Sequence, residues 1–281
     1  MSHYSGIAEK RILITGATSG LGLAMAQALL KEGAKVVVSG RDQNKIDQVV
    51  SSLKSRSGEC VGSLINVRDE QSIEEGLAEM VQLWGGIDVL INNAGIGMRT
   101  VNPRFVTDPK PFWEVSSSGF RDLIDTNLTG YFLVAKAVVP YFLKAGSGRI
   151  INISVNHETM KRKGFVPYGP SRAGTESLSH IMAQDLAGCG VTVNVLLPGG
   201  ATETGMIPEE FRVDPEQFRV NFGVQLLRPD VMAEPTLFLC SDESKSVHDE
   251  RIVAKDFQQW KTNWLDRNRA CLHPLRTLAE N

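Results

Sequence analysis

Along this chain a short β-branched run is followed by a longer amphipathic stretch, and the alternation repeats from end to end. The short runs are Arg11 to Thr15, Lys35 to Ser39, Val61 to Ile65, Val89 to Asn92, Arg149 to Ile153, Val191 to Leu196 and Arg251 to Ala254. Apolar runs of this length, separated by crossovers long enough for helices, predict a parallel sheet buried on both faces. Right-handed crossovers then give an α/β, doubly wound sandwich. An amphipathic helix is predicted from Leu23 to Glu32, directly behind the first strand. Two stretches, Ile96 to Ser118 and Thr202 to Gly223, break the short-loop rhythm and read as long loops. Both follow strands, at the carboxyl edge where ligands of open α/β sheets bind. Neither a tandem repeat nor a Pro/Gly/Ser-rich linker divides the chain, so residues 1–281 are read as one domain. The core runs from about 9 to 255, and residues 256–281, with Trp260, Trp264 and Leu265 among many charges, form a docked or oligomeric extension.

Composition narrows the function classes. A formal net charge of -2 gives no reason to expect nucleic acid or an anionic membrane as partner. The most apolar stretch, Tyr131 to Leu143, is short and interrupted by Lys136 and Pro140, and the N-terminus has no apolar signal core, so no membrane span is expected. The four cysteines form no CxxC pair, which points to a reducing, cytoplasmic compartment rather than a disulfide framework or zinc site. His157-Glu158 is not followed by a second histidine at helical spacing, and no metal is expected.

The first chemical signal is Thr15-Gly16-Ala17-Thr18-Ser19-Gly20-Leu21-Gly22, between the first strand and its helix. Glycines there permit a tight turn and let backbone N–H groups approach a pyrophosphate, which gains further from the helix N-terminus. The second strand ends Val38-Ser39-Gly40-Arg41 without a carboxylate for the adenosine ribose hydroxyls. Arg41 offers a planar donor fork suited to a 2′-phosphate, which favours NADP(H).

With Asn92-Asn93-Ala94-Gly95 after the fourth strand, Asn127-Leu128-Thr129-Gly130 beyond the first long loop, and Tyr168 opening a later helix, the chain resembles a short-chain dehydrogenase/reductase over about residues 9 to 255. The resemblance implies a Rossmann-type, seven-stranded parallel sheet and an oligomer, a homodimer or homotetramer. It implies a nicotinamide cofactor over Gly16, Thr18, Ser19, Gly20, Leu21 and Gly22, with Asn93, Ala94 and Gly95 lining its groove and Pro198-Gly199 approaching the carboxamide. Either Thr202 or Thr204 would meet the nicotinamide. Asn66 stands where relatives often have an aspartate that accepts the adenine amino group, with Val67 beside it. The active site implied is built from Asn127, a serine, Tyr168 and a cation four residues later.

Two departures bear on the chemistry. The cation is Arg172 where the family has lysine; it keeps the charge that favours phenolate but hardly ever releases a proton. The family's carbonyl-binding serine falls on Val155, whose hydroxyl neighbour is Ser154, and alternation along a strand puts these two on opposite faces. Asn156 or His157 could donate to a substrate oxygen instead. On the substrate side the first long loop carries Met98, Phe105, Phe112 and Trp113 with Arg99, Arg104 and Lys110, and Lys161-Arg162-Lys163 precedes Tyr168. Apolar walls with a few cations suit a small carbonyl or alcohol substrate bearing an acid group. The expectation is an NADP-dependent oxidoreductase with Tyr168 as general acid or base. A nucleotide-binding sensor or scaffold without redox chemistry competes, and a lyase or isomerase using the same pocket is the outside reading.

Overall fold

The structure is a computed structural model and describes residues 4–54, 56–223 and 225–271. In chain order the first half runs β1 (Arg11–Ile14), α1 (Gly20–Lys31), β2 (Lys35–Gly40), α2 (Gln43–Leu53), β3 (Glu59–Leu64), α3 (Glu70–Trp84), β4 (Val89–Asn92), α4 (Ser117–Ile124) and α5 (Gly130–Ala145). The second half runs β5 (Gly148–Ile153), α6 (His157–Met160), α7 (Tyr168–Asp185), β6 (Val191–Leu197), α8 (Glu209–Val213), α9 (Pro215–Phe222), α10 (Ala233–Cys240), β7 (Arg251–Val253) and α11 (Phe257–Cys271). The seven strands form one parallel sheet in the order β3-β2-β1-β4-β5-β6-β7. The order reverses between β1 and β4, and the crevice at their carboxyl ends is where such sheets bind ligands.

Period-two alternation divides each strand between two apolar layers. Ile12 and Ile14, Val36 and Val38, and Ile151 and Ile153 face the layer containing α1, α10 and α11. Leu13, Val37 and Ile150 face the opposite layer, filled by α3, α5 and α7. Strand β3 departs from the expected burial on both faces: it is the sheet edge, and Leu64 at its end is exposed.

Cap residues set several helix starts. Asp69 accepts from the N–H groups of Gln71 (3.0 Å) and Ser72 (3.3 Å) ahead of α3, and Ser116 accepts from Gly119 N–H (3.1 Å) ahead of α4. Helix α4 runs through a π-helical turn, Asp125–Thr129, into α5, giving one 29-residue helix apolar enough to cross a membrane by length and composition alone. Here Tyr131, Val134, Val138 and Phe142 of that helix are buried within the protein.

The two stretches read as loops are partly helical. The first ends at Ser117, where α4 starts, and the second carries α8 and α9, opened just after Pro208 and at Pro215. Proline at the first helical position was the signal available for them. Helix α11 packs the start of the extension against α10: Phe257, Trp260 and Trp264 surround Phe238 with ring centroids 5.5, 5.9 and 6.2 Å away. The remainder of the extension, 272–281, lies outside the described residues.

Candidate active site

A cleft of about 1460 Å³ opens along the carboxyl ends of the strands. At one end lie Gly16, Thr18, Ser19, Gly20 and Leu21 of the glycine turn, with Arg41, Asn66 and Val67; Asn93, Ala94 and Gly95 line its middle. Ser154, Tyr168, Arg172, Pro198, Gly199 and Thr202 border the other end. Strand order alone brings these distant segments together, because each follows the carboxyl end of a parallel strand.

The turn is built to leave backbone exposed to a ligand. Gly16 and Gly20 adopt φ of 63° and 55°, the left-handed region that favours glycine. Ser19 caps α1 without a side-chain hydrogen bond, so the first N–H groups of the helix remain free for an anion. Gly22 lies behind the turn, not in the cleft wall: a Cβ there would stand 2.6 Å from both Asn93 Nδ2 and Gly16 O. The Asn93 amide donates to the carbonyls of Thr15 (2.9 Å) and Gly16 (3.0 Å). Thr15, given no role of its own by the sequence, accepts through Oγ1 from the N–H groups of Asn93 (2.9 Å) and Ala94 (3.0 Å). These bonds lock β1 to β4 at the switch point.

At the adenosine end Arg41 is exposed, while Asp42 turns away to cap α2 through Lys45 N–H (3.2 Å). Asn66 Oδ1 already accepts from Arg68 N–H (3.3 Å), leaving one lone pair. Beyond the sixth strand Gly199 adopts φ of 95°. Thr202 donates to Gly200 O (3.1 Å), and Thr204 packs against Gly20.

Tyr168 opens α7, is buried, and packs with Met98, Phe105 and Phe165; its hydroxyl lies 3.9 Å from the Met206 sulfur. Arg172, one helical turn on, is buried with its guanidinium carbon 5.5 Å from the centroids of both the Tyr168 and Tyr131 rings. Burial would loosen its proton, but Tyr131 and Tyr168 outweigh that and push its pKa above the ordinary value. Burial pushes the Tyr131 phenol up, and Arg172 opposes it. Asn127 sits wholly buried in the π-helical turn, clamping Ile96 by accepting from its N–H and donating to its carbonyl, each at 2.9 Å. It reaches α7 through Ser171 Oγ (3.3 Å).

Ser154, expected in the catalytic set, borders the cleft with its hydroxyl engaged by an acid. Its hydroxyl donates to Glu176 Oε1 (2.6 Å), whose carboxylate also accepts from Arg251 Nε (3.0 and 3.1 Å) and lies 3.3 Å from His157 Nε2. Strand alternation turns Ser154 toward that cluster and leaves Val155 against Tyr168's apolar neighbours. His157 is likewise turned to Glu176, while Asn156 lines the cleft. The long loop is corrected: Met98 and Phe105 line the cleft, but Phe112 and Trp113 are 67% and 73% exposed and pack on each other. Arg104 pairs with Asp108 (3.2 Å), and Arg99 donates to Gly205 O (2.8 Å), joining the two loop segments.

A family model described as short chain dehydrogenase matches residues 10–213. This chain belongs to the short-chain dehydrogenase family. It is 34% identical over 241 residues to the 3-oxoacyl-(acyl-carrier-protein) reductase of Thermotoga maritima, covering 85% of this chain and 93% of that protein. It is 32% identical over 217 residues to gluconate 5-dehydrogenase of Gluconobacter oxydans, covering 75% and 81%. A short-chain type dehydrogenase/reductase from Mycobacterium marinum shares the fold at TM-score 0.77 and 26% identity, over 88% of this chain and 94% of that one. A 3-ketoacyl-(acyl-carrier-protein) reductase from Brucella melitensis complexed with NADH does so at TM-score 0.74 and 25% identity, over 88% and 97%. As a short-chain dehydrogenase the chain is an oxidoreductase of a family that uses a nicotinamide cofactor.

Proposed function

We propose that this short-chain dehydrogenase interconverts a ketone and a secondary alcohol with NADP(H), with Tyr168 as general acid in reduction and general base in oxidation. The observation that carries the reading is Tyr168 in the wall of the glycine-turn cleft with the Arg172 guanidinium 5.5 Å from its ring. Bound over the turn, the nicotinamide supplies or accepts the hydride. The chain's own residues do the rest. The free N–H groups of α1 would hold the pyrophosphate and Arg41 would pair with the 2′-phosphate, while Tyr168 gives its proton to the forming alkoxide beside the buried Arg172 cation. Asn156, which caps α6 without a side-chain bond, is the amide available to polarise the carbonyl where Val155 offers no hydroxyl.

Met98, Phe105, Phe165 and Phe218 make the substrate end apolar, and Arg99, Arg162 and Lys163 border it, which supports an organic substrate with an acid group. The free cysteines Cys60, Cys189 and Cys240 fit a cytoplasmic protein, and the working unit is read as a homodimer or homotetramer, checked by sedimentation. A carbonyl panel followed by NADPH absorbance tests the activity. Tyr168→Phe should retain NADPH binding and lose about a hundredfold or more in turnover. The competing sensor or scaffold reading draws on the apolar Val155 and on the ties that hold Arg172; tight NADPH binding with no turnover of any carbonyl or alcohol would favour it.

A further inference from the structure

Arg172 is held from behind by groups that the proposed chemistry does not use. Its Nη1 donates to the Tyr131 hydroxyl (2.9 Å) and to the carbonyl of Ile153 (3.0 Å). The Tyr131 hydroxyl in turn donates to the same Ile153 carbonyl (3.2 Å). Phenol, guanidinium and carbonyl thus close a triangle at the end of β5, and Tyr131 and Arg172 are both buried. The guanidinium lies between the two tyrosine rings, 5.5 Å from each centroid. On its far side Nη2 fills the space where a Cβ on Gly95 would be, so the cleft wall accepts this orientation only because residue 95 is glycine.

The geometry points to Tyr131 as the positioning residue of the site: it fixes the Arg172 guanidinium in one orientation beside Tyr168, so that a long side chain acts there as a stationary cation. The inference rests on the reading of Tyr168 as the acid but concerns a different residue and a different atom. An arginine stem has several rotatable bonds, and an untethered guanidinium would share its field between Tyr168 and water. Two acceptors on Nη1 remove that freedom, as a forked donor with fixed geometry allows. Tyr131 can serve only as a neutral phenol, since it must donate to Ile153 while accepting from Arg172. Burial, which pushes its pKa up, keeps it so. The two phenols are the titratable groups that act on the guanidinium; Glu176, the next acid along α7, is occupied by Ser154, His157 and Arg251.

The test is Tyr131→Phe, which removes one oxygen and keeps the ring. With a substrate in hand, kcat should fall about tenfold at a KM for NADPH within about twofold. Arg172→Met should be costly in the wild type and less so in the Tyr131→Phe background, the coupling expected of residues in contact. A further measurement needs no Tyr131 variant: with 15N-labelled arginine, the signals that disappear in Arg172→Lys should show resolved, slowly interchanging Nη groups. Unchanged turnover in a folded Tyr131→Phe protein, or an Arg172 guanidinium rotating as freely as a surface one, would overturn the assignment and leave Tyr131 as a space-filling side chain. Absence of turnover in wild type together with a slow guanidinium would instead sink the proposed ketone/alcohol chemistry and leave this inference standing.

Discussion

At the residue scale the two jobs of a cation beside a catalytic phenol separate in Arg172. It can lend charge to Tyr168, but a guanidinium releases its proton too reluctantly to pass one onward. Arg172→Met should therefore lower kcat/KM, and Arg172→Lys, which keeps the charge, should leave substantial activity; an unchanged kcat/KM in Arg172→Met would show that the charge is irrelevant. Arg41 is a separate case, because it is exposed and its role depends on the ligand. Arg41→Ala should cost about 1.5–3 kcal/mol of the preference for NADPH over NADH, the range for hydrogen bonds to a charged group, as calorimetry with both cofactors would read. Both arginines were visible in the sequence as types and spacings. Tyr131 was not, because a tyrosine in an apolar helical run reads as core until the helix is packed against β5.

At the element scale the glycine turn and α1 were legible, since their signal is local: a strand, a run of small residues, then an amphipathic helix. The division of labour among the glycines was not. Gly16 and Gly20 are needed for their backbone conformation, whereas Gly22 is needed because β4's Asn93 amide and the Gly16 carbonyl press against it. Gly22→Ala has ordinary helical backbone available and should still cost about 1–3 kcal/mol in urea unfolding, the range for overpacking a close contact. It should also weaken NADPH binding by displacing Asn93 from the turn; a stable variant with normal binding would show that the contact relaxes freely. Helices α8 and α9 went unread because each is too short for an apolar period to show. Asn127 was legible as a motif residue, but its placement in a π-helical turn depends on how α4 and α5 join.

At the scale of the whole molecule the sheet is tied at its lower edge by Arg11 and Asp88. Asp88 accepts from Arg11 N–H (2.8 Å), Nε (2.9 Å) and Nη2 (2.6 Å), while Arg11 Nη1 donates to Trp84 O (3.2 Å), joining β1, the end of α3 and the start of β4. Burial would raise the Asp88 carboxyl's pKa, but the bonds and charge of Arg11 outweigh it and hold it below the ordinary carboxylate value. A depressed native value means stability that is present above the unfolded value, about pH 4, and lost as pH falls through the native one. Asp88→Asn should be less stable than wild type near neutrality, and the gap should narrow as pH is lowered below about 4. A gap that stays constant down to acid unfolding would mean that Asp88 acts by shape alone.

What the sequence determined by itself was whatever depends on neighbours along the chain. The β-branched runs placed the strands, the glycines placed the ligand turn, and the ordered motifs from Thr15 to Tyr168 identified the family, because period, turn chemistry and spacing are written locally. What only the tertiary structure decided was which side chains meet across elements. Strand alternation and the face of α7 sent Ser154 to Glu176 and left Val155 beside Tyr168. The packing of α5 against the end of β5 put the Tyr131 hydroxyl on Arg172. A hydrogen bond between residues 41 positions apart is fixed by the direction of each side chain in the packed fold, and sequence order carries no record of that direction.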